Sequence, residues 1–340
     1  MVKVYYTPIN SENRKQMSLA AKKLLLKLID EENIKLEKEV PLKVHFGEKG
    51  NKTFIKPENF QGIIDLLKER KVKSSYIETN VLYRGARMKK DEHIKLALKH
   101  GFTQLPIIIA DGEQGELSTE VEINQKHIKN AKIGSEFLKY KQIIVISHFK
   151  GHMLAGFGGA IKQLAMGFAS RAGKLDAHAN AHPTLNPLKC SKCKTCQEHC
   201  PANAITIGFL SRINTKKCIG CAECIARCQT GAITINWAST MPNKFRKKLV
   251  EYALAAAKDK KNIYITFAID ITKHCDCMNI DMKPVIKNIG ILASTNPVAI
   301  DAAAYDLAKK KGKKFSGKKQ LEYAEEIGLG RKEYELETII

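Results

Sequence analysis

The sequence has no stretch of about 18 apolar residues, the length that a helix needs to cross a bilayer. The N-terminal segment MVKVYYTPINSENRK also lacks the apolar segment and cleavage site of a secretory signal. No G-x-G-x-x-G turn is combined with a strand and an acidic partner, so a nicotinamide site is not predicted. These absences predict a cytoplasmic protein without a membrane span.

A layered α/β fold is predicted, because short β-type runs alternate with helix-type segments on both sides of a cysteine-rich stretch. The predicted strands are 2–6, 43–46, 75–79, 105–110, 119–123, 142–147, 263–269 and 289–293. The predicted helices are 12–30, 59–70, 91–100, 243–258 and 297–310. The part after the cysteine-rich stretch has too few strands for a sheet of its own. We therefore predict one α/β domain, residues 1–184 and 239–340, with an inserted α+β module at residues 185–238.

Eight of the ten cysteines follow one repeated spacing. The two runs, offset by 28 residues, are Cys190-x2-Cys193-x2-Cys196-x3-Cys200 and Cys218-x2-Cys221-x2-Cys224-x3-Cys228. In the bacterial two-cluster ferredoxin pattern, three thiolates of a run bind one [4Fe-4S] cluster and the fourth binds the other. This predicts one cluster on Cys190, Cys193, Cys196 and Cys228, and a second on Cys218, Cys221, Cys224 and Cys200.

Zinc is the alternative metal, because Cys pairs at x2 spacing also form zinc sites. Zinc, however, takes four ligands per ion in pairs, whereas this chain has two runs of four. Pro201 follows Cys200, but Gln229 takes the equivalent place after Cys228. The Cys228 end is therefore expected to be more polar or more exposed.

Acidic residues are in the minority, with 35 Asp and Glu against 57 Lys and Arg, a formal net charge of +22. Two oxidised clusters with their thiolates would reduce this to roughly +18. Such a charge favours acidic partners. We expect an acidic redox protein as electron donor or acceptor and consider a small anionic substrate. The lysines are spread along the chain without a long basic tail, which disfavours nucleic acid.

A second group of candidates follows the predicted strand that ends at Ser147. It comprises His148, His152, the glycines Gly158 and Gly159, and Lys162. α/β proteins place ligand sites after strand ends, and glycines permit close backbone approach to a bound group. With Lys162 near a predicted helix start, this arrangement suits an anionic ligand. A structural glycine turn beside a solvated lysine is the alternative.

Two further pairs carry groups that bind metal or react. His178 and His182 are spaced i, i+4, which on a helix would direct both imidazoles to one metal, although Pro183 weakens the helix. Cys275 and Cys277 flank Asp276 after a predicted strand. A disulfide between them would be strained, so metal ligation or a reactive thiol is favoured over two structural cysteines. The cleft therefore has donors for an additional metal or an anionic ligand.

These residues resemble the family called domain of unknown function 362, in its form with an inserted two-cluster ferredoxin domain. The resemblance lies in the Gly-Gly-x-x-Lys turn, in Cys275-Asp276-Cys277 and in the segment 288–301, and the family name implies no reaction. Asn296 stands where the family usually has Asp. More distantly, His152, Lys162 and His178 are similar to residues of nickel-pincer lactate racemases that hold the pincer cofactor and its nickel.

Two main functions follow, and the sequence leaves open whether the chain is an enzyme. The first is an iron–sulfur oxidoreductase in which clusters relay single electrons to the cleft, where Lys162 holds an anionic group and His152, Cys275 or Cys277 delivers a proton. Within that cleft, His148, Gly158, Gly159, His178 and His182 are the predicted cofactor-binding residues. The second is an electron carrier or a metal or cofactor maturation factor without turnover. A nucleic-acid-binding iron–sulfur protein is a weaker third.

Overall fold

The computed structural model describes residues 1–178, 182–235 and 240–340. The strands are β1 (Val2–Pro8), β2 (Leu42–Lys43), β3 (Tyr76–Glu78), β4 (Ile107–Ile109), β5 (Ser118–Glu122), β6 (Asn130–Gly134), β7 (Ile144–His148), β8 (Lys150–His152), β9 (Gly156–Gly158), β10 (Pro183–Leu185), β11 (Ile205–Thr206), β12 (Arg212–Ile213), β13 (Ile233–Ile235), β14 (Ile263–Ala268), β15 (Gly290–Ser294) and β16 (Tyr334–Thr338). The helices are α1 (Arg14–Glu31), α2 (Gln61–Glu69), α3 (Lys90–Lys99), α4 (Ala160–Phe168), α5 (Arg171–Ala177), α6 (Thr195–Glu198), α7 (Glu223–Arg227), α8 (Pro242–Ala257), α9 (Pro297–Lys310) and α10 (Lys319–Glu326).

The central sheet has the strand order β16-β1-β15-β14-β7-β2-β3-β4. The strands from β14 through β7, β2 and β3 to β4 run parallel, and β15 is antiparallel to both of its neighbours. Strands that precede the cysteine-rich segment and strands that follow it thus belong to one sheet. The predicted layered α/β fold is confirmed.

The two faces of this sheet are covered by different helices, because alternate residues of a strand point to opposite faces. On β14, Ile263 and Ile265 pack into a cluster with α1 and α2, whereas Tyr264 packs into a cluster with α4, α8 and α9. All six residues of β14 are buried, as expected of a strand covered on both sides. No helix of the described ranges is both long enough and apolar enough to span a membrane.

Most predicted elements agree with the structure to within a few residues. The predicted strand at 43–46 is shorter, since β2 ends at Lys43. Helix α10 and strand β16 were not predicted. The alternation of Tyr, Leu and Thr with Glu in β16 could have revealed it, and this strand pairs in parallel with β1 at the edge of the sheet.

The two ends of the cysteine-rich segment lie next to each other. Pro183 pairs with Ile235 and Leu185 with Ile233, so β10 and β13 bring the two ends together. The predicted module boundary at 185 falls within β10, and the other one, at 238, lies outside the described residues. The assignment of the segment as a ferredoxin-like insertion stays a prediction at this point.

Helix α4, which follows the candidate glycines, is capped from a distant part of the chain. The Asp301 carboxylate, on α9, accepts hydrogen bonds from the backbone N–H groups of Ala160 (2.7 Å) and Ile161 (3.0 Å). Burial raises the pKa of Asp301 to about 7, although these hydrogen bonds act in the opposite direction. The N-terminus of α4 is therefore occupied by a side chain of the protein, so the N–H groups of Ala160 and Ile161 are not free for a ligand. The anion site around Lys162 stays a prediction.

Replacing Asp301 by Ala is expected to destabilise the fold by about 1–2 kcal/mol, because two N–H groups at the start of α4 lose their acceptor. Chemical denaturation followed by circular dichroism measures the change. Asp30, exposed near the end of α1, offers the matched control, and its replacement by Ala should change stability by less than about 0.5 kcal/mol. Equal effects of the two substitutions would show that the cap contributes nothing.

Candidate functional site

A cavity of about 240 Å³ lies beyond the carboxyl ends of the parallel strands β3, β2, β7 and β14. This is where open α/β sheets place ligands. The polar and aromatic side chains that line it are His45, Glu78, Thr79, Tyr83, Arg87, His152, Lys162, Gln163, Lys174, His178, Phe245, His274, Cys275 and Cys277. The predicted site residues His152, Lys162, His178, Cys275 and Cys277 are therefore brought together in one cavity.

His152 reaches the cavity from the hairpin of β8 and β9. The hairpin packs tightly on the chain before Cys275, because a side chain at Gly151 would lie 2.2 Å from the Lys273 carbonyl oxygen. The Gly151 N–H donates to the Thr272 carbonyl at 2.9 Å. Glycine at this position thus lets the hairpin and the Cys275 turn lie side by side.

The His152 ring is held as a neutral imidazole. Its Nδ1 accepts hydrogen bonds from the backbone N–H groups of Leu154 (3.2 Å) and Ala155 (3.0 Å). Burial, and then the charge of Lys162, lower the pKa of His152 to about 3. With Nδ1 as acceptor, the proton of the neutral ring is on Nε2. His152 is therefore a hydrogen-bond donor at neutral pH and not a cation.

Lys162 and the two cavity cysteines form a charge-coupled group. The Lys162 Nζ lies 3.5 Å from the Cys275 Sγ. A hydrogen bond from the Cys277 thiol lowers the pKa of Cys275 well below its usual value, and Lys162 lowers it further. Burial alone would discharge Lys162, but the neighbouring Cys275 and Cys277 raise its pKa. The arrangement favours a Cys275 thiolate beside an ammonium group.

His148 contacts the protein through both ring nitrogens. Its Nδ1 lies 2.8 Å from the Asp276 Oδ2, and its Nε2 lies 2.7 Å from the Ile269 carbonyl oxygen. Lys150 adds a 2.6 Å ion pair to the same Asp276 oxygen. His148 does not line the cavity, and the structure makes it a positioning residue for the Cys275–Cys277 turn where the sequence predicted a cofactor-binding residue.

The two predicted glycines also face protein groups. A side chain at Gly158 would approach the Lys162 side chain to 2.9 Å, and one at Gly159 would approach the Asp301 carboxylate to 2.2 Å. Their small size is explained by the packing of Lys162 and by the cap of α4. The sequence predicted that these two glycines let a ligand come close to the backbone. Their packing against Lys162 and Asp301 explains glycine at both positions without a ligand.

Of the predicted histidine pair His178 and His182, the first lines the cavity and the second does not. Helix α5 ends at Ala177, so His178 follows the helix and stacks on Phe245 with ring centroids 4.7 Å apart. Burial, and then Lys162, lower the pKa of His178 to about 3. His182 is exposed and does not line the cavity, and residues 179–181 between the two histidines lie outside the described residues.

Several lining residues escaped the sequence analysis, most of them on β2, β3 and the loops after them. His45 follows β2, Glu78 ends β3, and Arg87 is 1% exposed and paired with Glu48 at 3.2 Å. These residues could have been predicted from the sequence. α/β proteins place ligand sites after the carboxyl ends of parallel strands, and this rule, which selected His148, also applies to β2 and β3.

Positive charge prevails in the cavity. Lys162, Lys174 and Arg87 line it. Arg87 is neutralised by Glu48 at 3.2 Å, and Glu78, the one lining carboxylate in the described parts of the chain, is neutralised by Lys43 at 2.9 Å, so the excess positive charge comes from Lys162 and Lys174. Burial lowers the pKa of Lys174 to about 8, which leaves it mostly protonated at neutral pH. Apolar groups, among them Leu82 and three methionines, form the remaining wall. The cavity suits a small anion with an apolar body.

The eight cysteines of the repeat lie in the segment between β10 and β13. Cys190, Cys193, Cys196 and Cys228 line one small cavity. Burial raises the pKa of Cys224, and the nearby Cys221, Cys218, Cys196 and Cys200 raise it further, which places the remaining cysteines close together. Across the described ranges no three His, Cys, Asp or Glu side chains converge as a single metal ion requires.

The fold and this site define an α/β protein with a Lys/Cys/His cavity at a sheet edge and a cysteine-rich segment beside it. The chain belongs to the family described as domain of unknown function (DUF362), whose sequence profile matches residues 40–306. The resemblance inferred from the Gly-Gly-x-x-Lys turn and the Cys275–Cys277 element is confirmed.

Solved structures similar to this chain include the following two. A Thermotoga maritima protein from the Northeast Structural Genomics Consortium aligns with TM-score 0.48 and 11% identity, over 90% of this chain and 61% of that one. The lactate racemase apoprotein from Thermoanaerobacterium thermosaccharolyticum aligns with TM-score 0.38 and 10% identity, over 79% and 51%. The chain thus spans less than two thirds of either protein. No curated protein matches it.

The His152 ring is expected to stay neutral from pH 8 down to pH 5, because its pKa in the folded protein is about 3. Unfolded histidine titrates near ~6.5, so acid favours the unfolded chain, and stability is lost as the pH falls from about 6.5 towards 3. Ring ¹⁵N chemical shifts, assigned with a His152→Gln variant, report the titration. A midpoint near 6.5 in the folded protein would contradict this assignment.

Proposed function

We propose that the chain is an iron–sulfur protein that passes single electrons through two [4Fe-4S] clusters to the Lys162/Cys275 cavity, where an oxidoreductase reaction takes place on a small anionic substrate. The observation that carries the proposal is the position of Leu82. This side chain lines the cavity and also packs in the hydrophobic cluster of the cysteine-rich segment, with Cys196 and Ile225. Leu82 therefore belongs both to the wall of the cavity and to the core of the cysteine-rich segment.

The first set of cysteines supports one cluster on residues from both runs. Burial raises the pKa of Cys196, and its neighbours Cys228, Cys193 and Cys190 raise it further, so these four thiols are close together. They are the four that line one cavity. Three of them come from the first run and Cys228 from the second, which is the exchange of ligands that the spacing predicts.

The second set supports the other cluster. The pKa of Cys221 is raised by burial, and both Cys200 and Cys218 add to the increase. Cys200, although it belongs to the first run, therefore lies with the second set. Backbone N–H groups are directed at the crossing thiols, from Ala204 to the Cys200 Sγ at 3.2 Å and from Ile233 to the Cys228 Sγ at 3.4 Å.

The backbone of the two runs repeats with the sequence. Residues with positive φ occur in pairs 28 positions apart: Lys192 (59°) with Gly220 (69°), Lys194 (60°) with Ala222 (60°), and Asn203 (47°) with Gly231 (68°). Left-handed φ costs a residue with a side chain about 1 kcal/mol or more. Four such residues in two short loops suit a backbone that is wrapped around a bound group.

The cysteine spacing favours a cluster over zinc. Zinc takes four ligands per ion in pairs, whereas this chain has two runs of four cysteines. A [4Fe-4S] cube distributes its four thiolates over four iron atoms and so holds them further apart. When bound, the clusters would supply electrons one at a time.

The protein itself would exclude water from the path and hold the reacting groups. Leu82 and Leu175, both nearly inaccessible to solvent, pack between the cysteine-rich segment and the cavity side of the domain. Arg84 fixes the segment by donating to the Gln229 carbonyl oxygen at 3.0 Å. In the cavity, Lys162 would bind the anionic group of a substrate, and the His152 Nε2–H would donate a hydrogen bond to it.

An acidic redox protein is the expected donor. The exposed residues Lys189, Lys192 and Lys194 lie within four positions of Cys193 in the sequence, and Cys193 is itself exposed. Positive charge next to the accessible set of cysteines would steer an acidic carrier to it.

Anaerobically prepared protein is expected to contain about eight iron and about eight acid-labile sulfide per chain. Cys193→Ser should reduce the iron content to about four, since it removes a ligand of one set, and Cys221→Ser should do the same for the other set. Metal analysis, sulfide assay and visible absorption measure this. Cys277→Ser is the matched control, a cysteine substitution outside both sets, and should retain the full iron content.

Zinc in place of iron, or protein without metal after anaerobic reconstitution, would contradict the proposal. Loss of all iron in both ligand variants, with wild-type circular dichroism, would contradict the assignment of two separate sets.

A further inference from the structure

Cys275 and Cys277 lie in one turn and both face the cavity. The turn is closed by a hydrogen bond from the Met278 N–H to the Cys275 carbonyl oxygen at 3.1 Å. The Cys277 N–H lies 3.5 Å from the Cys275 Sγ. Both side chains line the cavity. The two sulfurs are thus held next to each other at the place where electrons would arrive.

The residue between them is held on the opposite side. The Asp276 Oδ2 contacts His148 at 2.8 Å and Lys150 at 2.6 Å, and Asp276 is 1% exposed. Because this carboxylate is anchored, the turn cannot rotate freely, and its two cysteines stay directed at the cavity. The anchor fixes which side chains of the turn a substrate meets.

The two thiols have unequal roles. Lys162 and the Cys277 thiol stabilise Cys275 as a thiolate. The hydrogen bond to Cys275, together with burial, raises the pKa of Cys277, which therefore keeps its proton. Thiol–disulfide exchange needs a thiolate nucleophile and a second thiol that completes the reaction. The cavity contains one of each.

We propose that Cys275 and Cys277 form a thiol/disulfide couple that reduces a small anionic disulfide in the cavity. This inference rests on the proposed function for the supply of electrons, and it names the substrate class of the same site. The anionic class follows from Lys162 and Lys174 in the wall, and the small size follows from the volume of about 240 Å³.

The reaction balances in two stages. The Cys275 thiolate attacks one sulfur of the substrate disulfide, whose S–S bond breaks, and one substrate thiolate leaves. The Cys277 sulfur then attacks Cys275 in the mixed disulfide, the Cys277 proton is transferred to solvent or product, and the second substrate thiolate leaves. The protein now holds a strained Cys275–Cys277 disulfide, which is correspondingly easy to reduce again, and the substrate has gained two electrons.

The number of electrons needed to regenerate the two thiols equals the number of predicted clusters. The Cys275–Cys277 disulfide takes up two electrons and one proton and returns to a Cys275 thiolate and a Cys277 thiol. A [4Fe-4S] cluster of this class transfers one electron at a time. Two clusters therefore supply the electrons of one disulfide reduction.

The test uses the whole chain with its thiols prereduced, in a single turnover under anaerobic conditions. The probes are 3,3′-dithiodipropionate, an anionic disulfide, and cystamine, a cationic disulfide of similar length. Wild-type protein should release about two equivalents of mercaptopropionate per chain. Trypsin cleaves after Lys273 and Lys287 but not before Pro284 and so isolates residues 274–287, whose two cysteines are Cys275 and Cys277. Mass spectrometry of this peptide should show the internal disulfide.

Three variants separate the roles of the residues. Cys277→Ser should accumulate one mercaptopropionate adduct on Cys275, because the second stage is blocked. Cys275→Ser should form no adduct in this peptide. Lys162→Gln should slow the reaction at neutral pH about tenfold, because about one pKa unit of thiolate stabilisation is lost, and the rate should recover at higher pH. Lys310→Gln, an exposed residue at the end of α9, is the matched charge control and should react like wild type.

The inference is overturned if peptide 274–287 remains fully alkylated as two free thiols after exposure to dithiodipropionate. It is also overturned if cystamine reacts as fast as the anionic probe, or if Cys277→Ser accumulates no adduct while its circular dichroism is that of wild type. Because one turnover needs only the prereduced thiols, the exchange proceeds even in protein without iron. Failure of this inference and failure of the cluster assignment are thus distinguishable.

Discussion

The buried carboxylate of Asp276 connects the sheet to the reactive turn. His148, the last residue of β7, and Lys150, the first of β8, both contact the same Asp276 oxygen. Burial alone would raise the pKa of Asp276, but these two partners lower it well below its usual value. A charged group so deeply buried is stable only while paired. The position of Cys275 and Cys277 therefore depends on this interaction.

Around this anchor, each neighbouring element adds one property to the cavity. The close approach at Gly151 brings in the β8–β9 hairpin, which carries His152 as a neutral donor. Helix α4, whose N-terminus is capped by Asp301, carries Lys162 towards the Cys275 sulfur. Helix α5 carries Lys174 and packs Leu175 against the cysteine-rich segment. The cavity thereby combines lysine side chains, a neutral imidazole and the Cys275 sulfur, and buried leucines lie on the side of the cysteine-rich segment.

The sequence was informative wherever local spacing sets the structure. The cysteine repeat, the strand end at Ser147 and the Cys275–Cys277 element each depend on residues a few positions apart, and the helix start at Pro297 follows from proline chemistry. Contacts between distant residues were not accessible in this way. The Asp301 cap on α4 joins residues about 140 positions apart, and nothing near Gly159 predicts it. The positioning role of His148 was not predictable from nearby residues either, because it depends on the contact with Asp276.

The central claim is that the two cysteine sets hold two neighbouring [4Fe-4S] clusters beside the cavity. Electron paramagnetic resonance of the chemically reduced protein at cryogenic temperature tests it most directly. The account predicts the broadened spectrum of two magnetically interacting S = 1/2 clusters in wild type, and the simple spectrum of one isolated cluster when Cys193 is replaced by Ser. Two non-interacting signals in wild type, or no signal from protein that binds zinc, would contradict it.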